Sequence, residues 1–116
     1  RDVAVTGVQT CALPICAKQV LIRAVGPTLG SFGATGFLAD PTVRVLDARG
    51  ASVGVNDNWS SALSATFTQV GAFPLTAGSR DAALLVTVPA GAAYTIQVSG
   101  VNSGTGEALV EVYEVF

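Results

Sequence analysis

AYTIQVSG, residues 93–100, is the stretch whose reading decides the fold. Tyr94, Ile96 and Val98 alternate with Thr95, Gln97 and Ser99. A period of two places the first set on one face of a strand and the second on the other. The pattern therefore predicts a strand with Tyr94, Ile96 and Val98 turned inward. Before it, VPAGAAY is a turn built on Pro89 and Gly91. Before that turn, DAALLVTV (81–88) is an apolar run ended by Pro89. The two runs are expected to pair as a β-hairpin.

The same signals recur along the chain. PTVRVLD (41–47) alternates, with Val43 and Val45 on one face and Thr42, Arg44 and Leu46 on the other. A turn at ARG follows, with Gly50 free to take positive φ. ASVGVND (51–57) then repeats the pattern with Val53 and Val55, so a second hairpin is expected. KQVLIRAVG (18–26) carries Val20, Leu21, Ile22 and Val25 in a short apolar run, the pattern of a strand buried on both faces. EALVEVYEV (107–115) sets Ala108, Val110 and Val112 on one face and Glu111 and Tyr113 on the other. GPTLGSFGATG (26–36) and VNSGTG (101–106) read as glycine-rich connections.

One segment has a helical period. In SSALSATFTQVG (60–71), Leu63, Phe67 and Val70 stand at i, i+4 and i+7 and share a helix face. Ser60 or Ser61 caps the start and Gly71 ends it. At least six short strands joined by Gly/Pro-rich turns predict an all-β chain. The expected form is an antiparallel β-sandwich or jelly-roll-like fold with one short helix near 61–70.

Composition bounds what such a domain does. The chain has 116 residues, half of them hydrophobic and 12% charged, which suits one globular domain with a real core. Net charge is −2 with no basic run, so no nucleic-acid or anionic-membrane footprint is expected. No apolar stretch approaches the roughly 20 residues of a membrane span.

The two cysteines, Cys11 and Cys16, both fall in the opening RDVAVTGVQTCALPIC. A secretory signal does not fit, because Asp2 sits beside Arg1 and Thr6, Gln9 and Thr10 interrupt the apolar core. A disulfide would close a very small loop around Pro14, and two thiols without a histidine are too few for zinc. Residues 5–15, VTGVQTCALPI, resemble the translation of a common short-read sequencing adapter at every position. The resemblance implies that 1–17 is an artefactual, adapter-derived segment of a metagenomic fragment. Residues 18–116 are then the β-sandwich module, truncated at its N-terminus. The competing reading is a genuine first strand at VAVTGV. Cysteine usage then carries no redox information, beyond the compatibility of a Cys-free module with secretion.

VLIRAVGPTL, LADPTVRVLDARG, NDNW, SRDAALLVTV, AYTIQVSG and GEALVEVYEV, in this order, resemble a module repeated in large secreted bacterial proteins. The resemblance covers 18–116. It implies a β-sandwich, often terminal or beside adhesive domains, with one or two further strands ahead of VLIRAVG. Here the adapter-like text takes that place, and VAVTGV is open to serving as a surrogate strand. More remotely, PT-strand-D-x-x-G-strand-ND followed by PAG and YTIxVSG is similar to bacterial pre-peptidase C-terminal domains. That similarity implies a small calcium-associated sandwich attached to secreted hydrolases.

Chemistry has few places to sit. Without His, and with both Cys in the adapter-like text, neither a Ser-His-Asp triad nor a Cys-His dyad is available, and no phosphate loop or dinucleotide fingerprint appears. Two carboxylates suffice for glycoside hydrolysis, but a small domain with polar turns offers little cleft wall. No catalytic or cofactor-binding residue is assigned. Asp40, Asp47, Asn56, Asp57, Asn58 and Asp81 form an acidic and amide set. Calcium takes six to eight such oxygens, so Asp47, Asn56, Asp57 and Asn58 are candidate calcium ligands. The alternative is that they are turn residues accepting backbone N–H bonds. Trp59 is a candidate for stacking on a sugar, with Tyr94 and Tyr113 behind it, or else a plug over one end of the sandwich. Arg80–Asp81 reads as a local ion pair, or as Asp81 paired with Arg23 or Arg44. Arg23, inside an apolar strand, needs a carboxylate.

The expected function is a non-catalytic structural or adhesive accessory module of a secreted or cell-surface bacterial protein. Its expected partners are neighbouring domains of a larger chain and cell-surface or extracellular polysaccharide. The alternatives are a calcium-binding pre-peptidase-like domain and a carbohydrate-binding module.

Overall fold

The computed structural model describes residues 2–6, 17–89 and 93–115. Its strands are β1 (Asp2–Thr6), β2 (Ala17–Val25), β3 (Pro41–Leu46), β4 (Ser52–Asn56), β5 (Ala82–Pro89), β6 (Ala93–Gly100) and β7 (Leu109–Val115). The one α-helix, α1, is Ser64–Val70. All strand pairs are antiparallel and form two sheets, ordered β1-β6-β3-β4 and β5-β2-β7. The chain is an all-β sandwich with one short helix.

The two-sided burial expected of residues 18–26 follows from the position of β2. It is the central strand of the three-stranded sheet, with Leu21↔Leu85 on one side and Leu21↔Tyr113 on the other. Ile22 and Ala24 face the interior between the sheets, with Val43, Val45, Leu84, Val86, Ile96 and Val98. Leu21 and Val25 face the opposite way, into a second core with Phe67, Leu75 and Ala83. That core lies under α1 and the loops around it. The β5-β2-β7 sheet is therefore sandwiched, while the outer face of the other sheet meets solvent. The continuous apolar runs of β2 and β5 fall in the covered sheet, and the alternating β3 and β6 in the half-solvated one.

This division corrects the expected hairpin of 81–88 with 93–100. β5 pairs with β2, and β6 pairs with β1 and β3, in different sheets. The turn between them changes layers, and its residues 90–92 lie outside the described residues. The patterns already differed: β5 is apolar on both faces and β6 on one, so one flat hairpin could not satisfy both.

The β3–β4 hairpin forms as expected, around Gly50 at φ 80°. Its second strand corrects the reading of Val53 and Val55, which are 44% and 56% exposed. Gly54 faces the core instead, where a Cβ would stand 2.6 Å from Leu84 Cδ1. The close approach of β4 to β5 therefore requires glycine there. A register shift between Val45 and Leu46 accompanies the strand.

The helical segment splits into a 3-10 turn, Ser61–Leu63, and α1. The Ser60 hydroxyl accepts from the Ala62 N–H, and the helix ends at Gly71 in the left-handed region. Residues 26–36, read as a loop, contain a 3-10 turn at Pro27–Phe32. VAVTGV is represented by β1, which pairs with β6 from Asp2↔Gln97 to Thr6↔Ala93. Cys11 and Cys16 lie outside the described residues. No helix among the described residues is long and apolar enough to cross a membrane.

Candidate functional site

Three polar clusters and one groove gather the residues with chemistry. The deepest cluster centres on Asp81, which is fully buried just before β5. Its Oδ1 accepts from the Gly26 N–H at 2.7 Å and the Thr28 N–H at 3.2 Å. Its Oδ2 accepts from the hydroxyls of Thr28 and Ser79. Its main-chain carbonyl accepts from the Trp59 N–H at 2.9 Å. Ser79 Oγ also accepts from Trp59 Nε1 at 3.1 Å, and Thr28 Oγ1 from the Thr76 N–H at 3.1 Å. One carboxylate thus ties together the β2 exit, the β4 exit and the loop before β5. A buried carboxylate without a cation is tolerable only when so many donors converge on it.

The expected ion pairs are redistributed. Among the described residues Asp81 pairs with no arginine, and neutral donors fill its oxygens. Arg80 instead reaches Asp40 at 3.7 Å across the surface, and Arg44 is exposed on the outer face of the four-stranded sheet. Arg23 does have a carboxylate: its Nε lies 2.8 Å from Glu111 Oε1 on β7. Its Nη1 donates to the Phe73 carbonyl at 2.6 Å. The guanidinium lies between the rings of Phe67 and Phe73, 4.7 and 4.4 Å from their centroids. The Tyr113 hydroxyl donates to Glu111 Oε2 at 2.6 Å.

The hydrogen bond to Glu111 holds the Tyr113 hydroxyl above the ordinary tyrosine pKa. Burial and the Glu111 charge add to this, and Arg23 opposes it. Tyr94 is also raised, by burial first and then by Asp47. A raised phenol pKa means that the fold favours the protonated form. That contribution is complete below about pH 10, the unfolded value, and is lost as pH rises through the folded value. Thermal stability is therefore expected to fall above about pH 10. Tyr113→Phe is expected to show a shallower fall, read from melting temperature against pH.

The candidate calcium residues do not converge. Asp47 lies in the β3–β4 turn, where its Oδ1 accepts from the Arg49 N–H at 2.8 Å and the Ala51 N–H at 3.0 Å. Asn56 is the last residue of β4 and Asp57 and Asn58 follow it, on the order of 15 Å away from that turn for a strand of that length. There, Asn56 Oδ1 accepts from the Ala83 N–H, and Asn56 Nδ2 donates to the Asn58 carbonyl. Asn58 Nδ2 donates to Asp57 Oδ1. Among the described residues, no group of three or more His, Cys, Asp or Glu is placed to hold a metal ion.

Trp59 is half-buried in the second core. Its ring centroid is 5.4 Å from that of Phe67, and its Nε1 is taken by Ser79. A notch of about 190 Å³ lies beside it, bordered by Ser64, Thr68 and Pro74. This is the geometry of a plug over the end of a layer rather than of an open stacking platform.

A groove of about 840 Å³ lies where β6 ends and β7 begins. Leu38, Val98, Ala108 and Val110 form its apolar walls, and Glu107 stands at the rim. Loop ties frame it: Leu38 N–H to the Glu107 carbonyl, Glu107 N–H to Gly36, and Val101 N–H to Asp40. No local pattern in the chain announces it, because a groove arises from strands that fail to oppose each other across layers.

No protein-family model matches the chain, and no curated protein or solved structure matches it significantly.

Proposed function

We propose that residues 18–116 are a non-catalytic structural or adhesive accessory module of a secreted or cell-surface bacterial protein, joined to neighbouring domains of a larger chain. One observation carries this reading. The polar side chains most suited to chemistry are engaged by the fold's own groups, Asp81 and Glu111 inside it and Asp47 and Asn56 at its turns: Asp81 by four donors, Glu111 by Arg23 and Tyr113, Asp47 by turn amides, and Asn56 by Ala83 and Asn58. Residues committed in this way set loops and layers rather than turn over a substrate. Secretion and bacterial origin rest on the sequence resemblance alone, as does the reading of 1–17 as foreign to the module.

A thermal melt of the chain in calcium and in chelator tests this proposal. Superposable transitions are expected. A calcium site at 100 times its dissociation constant would add about 2.7 kcal/mol, a rise on the order of 10 °C. Such a rise would replace this reading with the calcium-associated one.

A further inference from the structure

We propose that the free edge of β7 accepts one extended strand from another polypeptide, apolar at alternate positions and basic where it passes Glu107. Three observations converge on this edge, and the proposal goes beyond the structural-module reading, which stands if it fails.

The first is a mismatch between the layers. Across the sandwich β5 lies against β4, and β2 against β3. The strand orders then bring β7 opposite β6 and leave no described strand opposite β1. Among the described residues one strand position is unfilled, beside β7 and across from β1. The second is the state of the edge. Among the described residues β7 pairs only with β2, in an unbroken register from Leu109 to Val115. It has no proline, glycine or bulge along its seven residues, and its two charges, Glu111 and Glu114, are drawn to Arg23 and Lys18, so of the features that protect an edge only these paired charges are present on the strand. β4 has Gly54 with a register shift alongside, and β5 ends in Pro89. The third is exposed apolar surface. Val112 is 40% exposed although it shares the inward face with Val110. The groove continues that surface past Ala108 and Val110 to Glu107.

The width of the opening selects the occupant. A second copy docking through its own β7 would bring its β6 into the place that β1 already holds. A single strand meets no such obstacle. Its backbone would complete the β7 ladder, and its alternate side chains would cover Val112 and Val110, as in recognition by strand addition. Charge narrows it further. Glu114 is held by Lys18 at 2.6 Å and Glu111 by Arg23, whereas Glu107 is exposed at the groove rim. An antiparallel strand therefore gains from a basic residue near its C-terminal end.

The probe is a short synthetic peptide alternating threonine and valine and ending in lysine, labelled and titrated with the full chain. Saturable binding is expected, with slowed amide exchange along β7. Val112→Lys is expected to weaken it about tenfold or more. Glu107→Lys is expected to weaken it too, with recovery on a peptide ending in glutamate. Both positions are exposed, and melts of each variant confirm folding. Absence of saturable binding would overturn the proposal. So would equal binding of a peptide with its valines grouped, insensitivity to both substitutions, or dimerisation of the chain through β7.

Discussion

Asp81→Ala is expected to cost about 3–4 kcal/mol of stability, because it strands two buried main-chain donors and removes the acceptor of two hydroxyls. Gly26 N–H and Thr28 N–H both end on Oδ1 and cannot turn away, being main chain. The hydroxyls of Thr28 and Ser79 can rotate, so their share of the loss is smaller. For a domain of this size the cost corresponds to a fall in melting temperature of roughly 15 °C. Asp81→Asn keeps one acceptor oxygen for the amides but turns an NH₂ group toward the two hydroxyls. It is expected to cost about 2 kcal/mol. Ser79→Ala, which removes one partner and frees Trp59 Nε1, is expected to cost about 1 kcal/mol. Denaturant unfolding of the three variants checks the order. A loss at Asp81→Ala no larger than that at Ser79→Ala would show that the carboxylate ties nothing together.

The second large effect lies in the Arg23–Glu111 pair. The Arg23 side chain is fully buried and that of Glu111 nearly so. Removing one member leaves the other charge in an apolar layer, at a cost of about 3 kcal/mol or more. Glu111→Ala leaves the guanidinium with the Phe73 carbonyl and two ring faces. Arg23→Met leaves the carboxylate with the Tyr113 hydroxyl alone. Replacing both, Arg23→Met with Glu111→Leu, removes the charges together and is expected to lie within about 1 kcal/mol of the parent chain. The strong non-additivity is the signature to seek in a double-mutant cycle. Additive losses would mean that the two side chains do not act as a pair.

The strands, the β3–β4 hairpin and the helix with its caps were legible because each follows from local rules. Periods of two and 3.6, the Ser60 cap, and the glycines at 50 and 71 act within a few residues. The sheet assignment was only half legible. The two-sided apolar run of β5 and the one-sided alternation of β6 implied different surroundings, yet the short connection suggested a hairpin. Side-chain pairing was least legible. Arg80 and Asp81 are neighbours in sequence but point to different partners, and three of the four donors to the Asp81 carboxylate come from residues more than fifty positions away. Gly54 shows the same limit, since its role depends on Leu84 across the layers. The acidic set was legible only as turn residues or calcium ligands, and the structure places Asp47 and Asp57 at opposite ends of β4.

The account holds that polar groups turned inward keep this module in one shape. Native-state hydrogen exchange at Gly26 and Thr28 tests it most directly. Both are loop amides outside the sheet ladders, so only Asp81 gives them a reason to be protected. They are expected to exchange as slowly as the central amides of β2, through global unfolding alone. Exchange at the fast rate of exposed loops would contradict the account and leave Asp81 without its structural role.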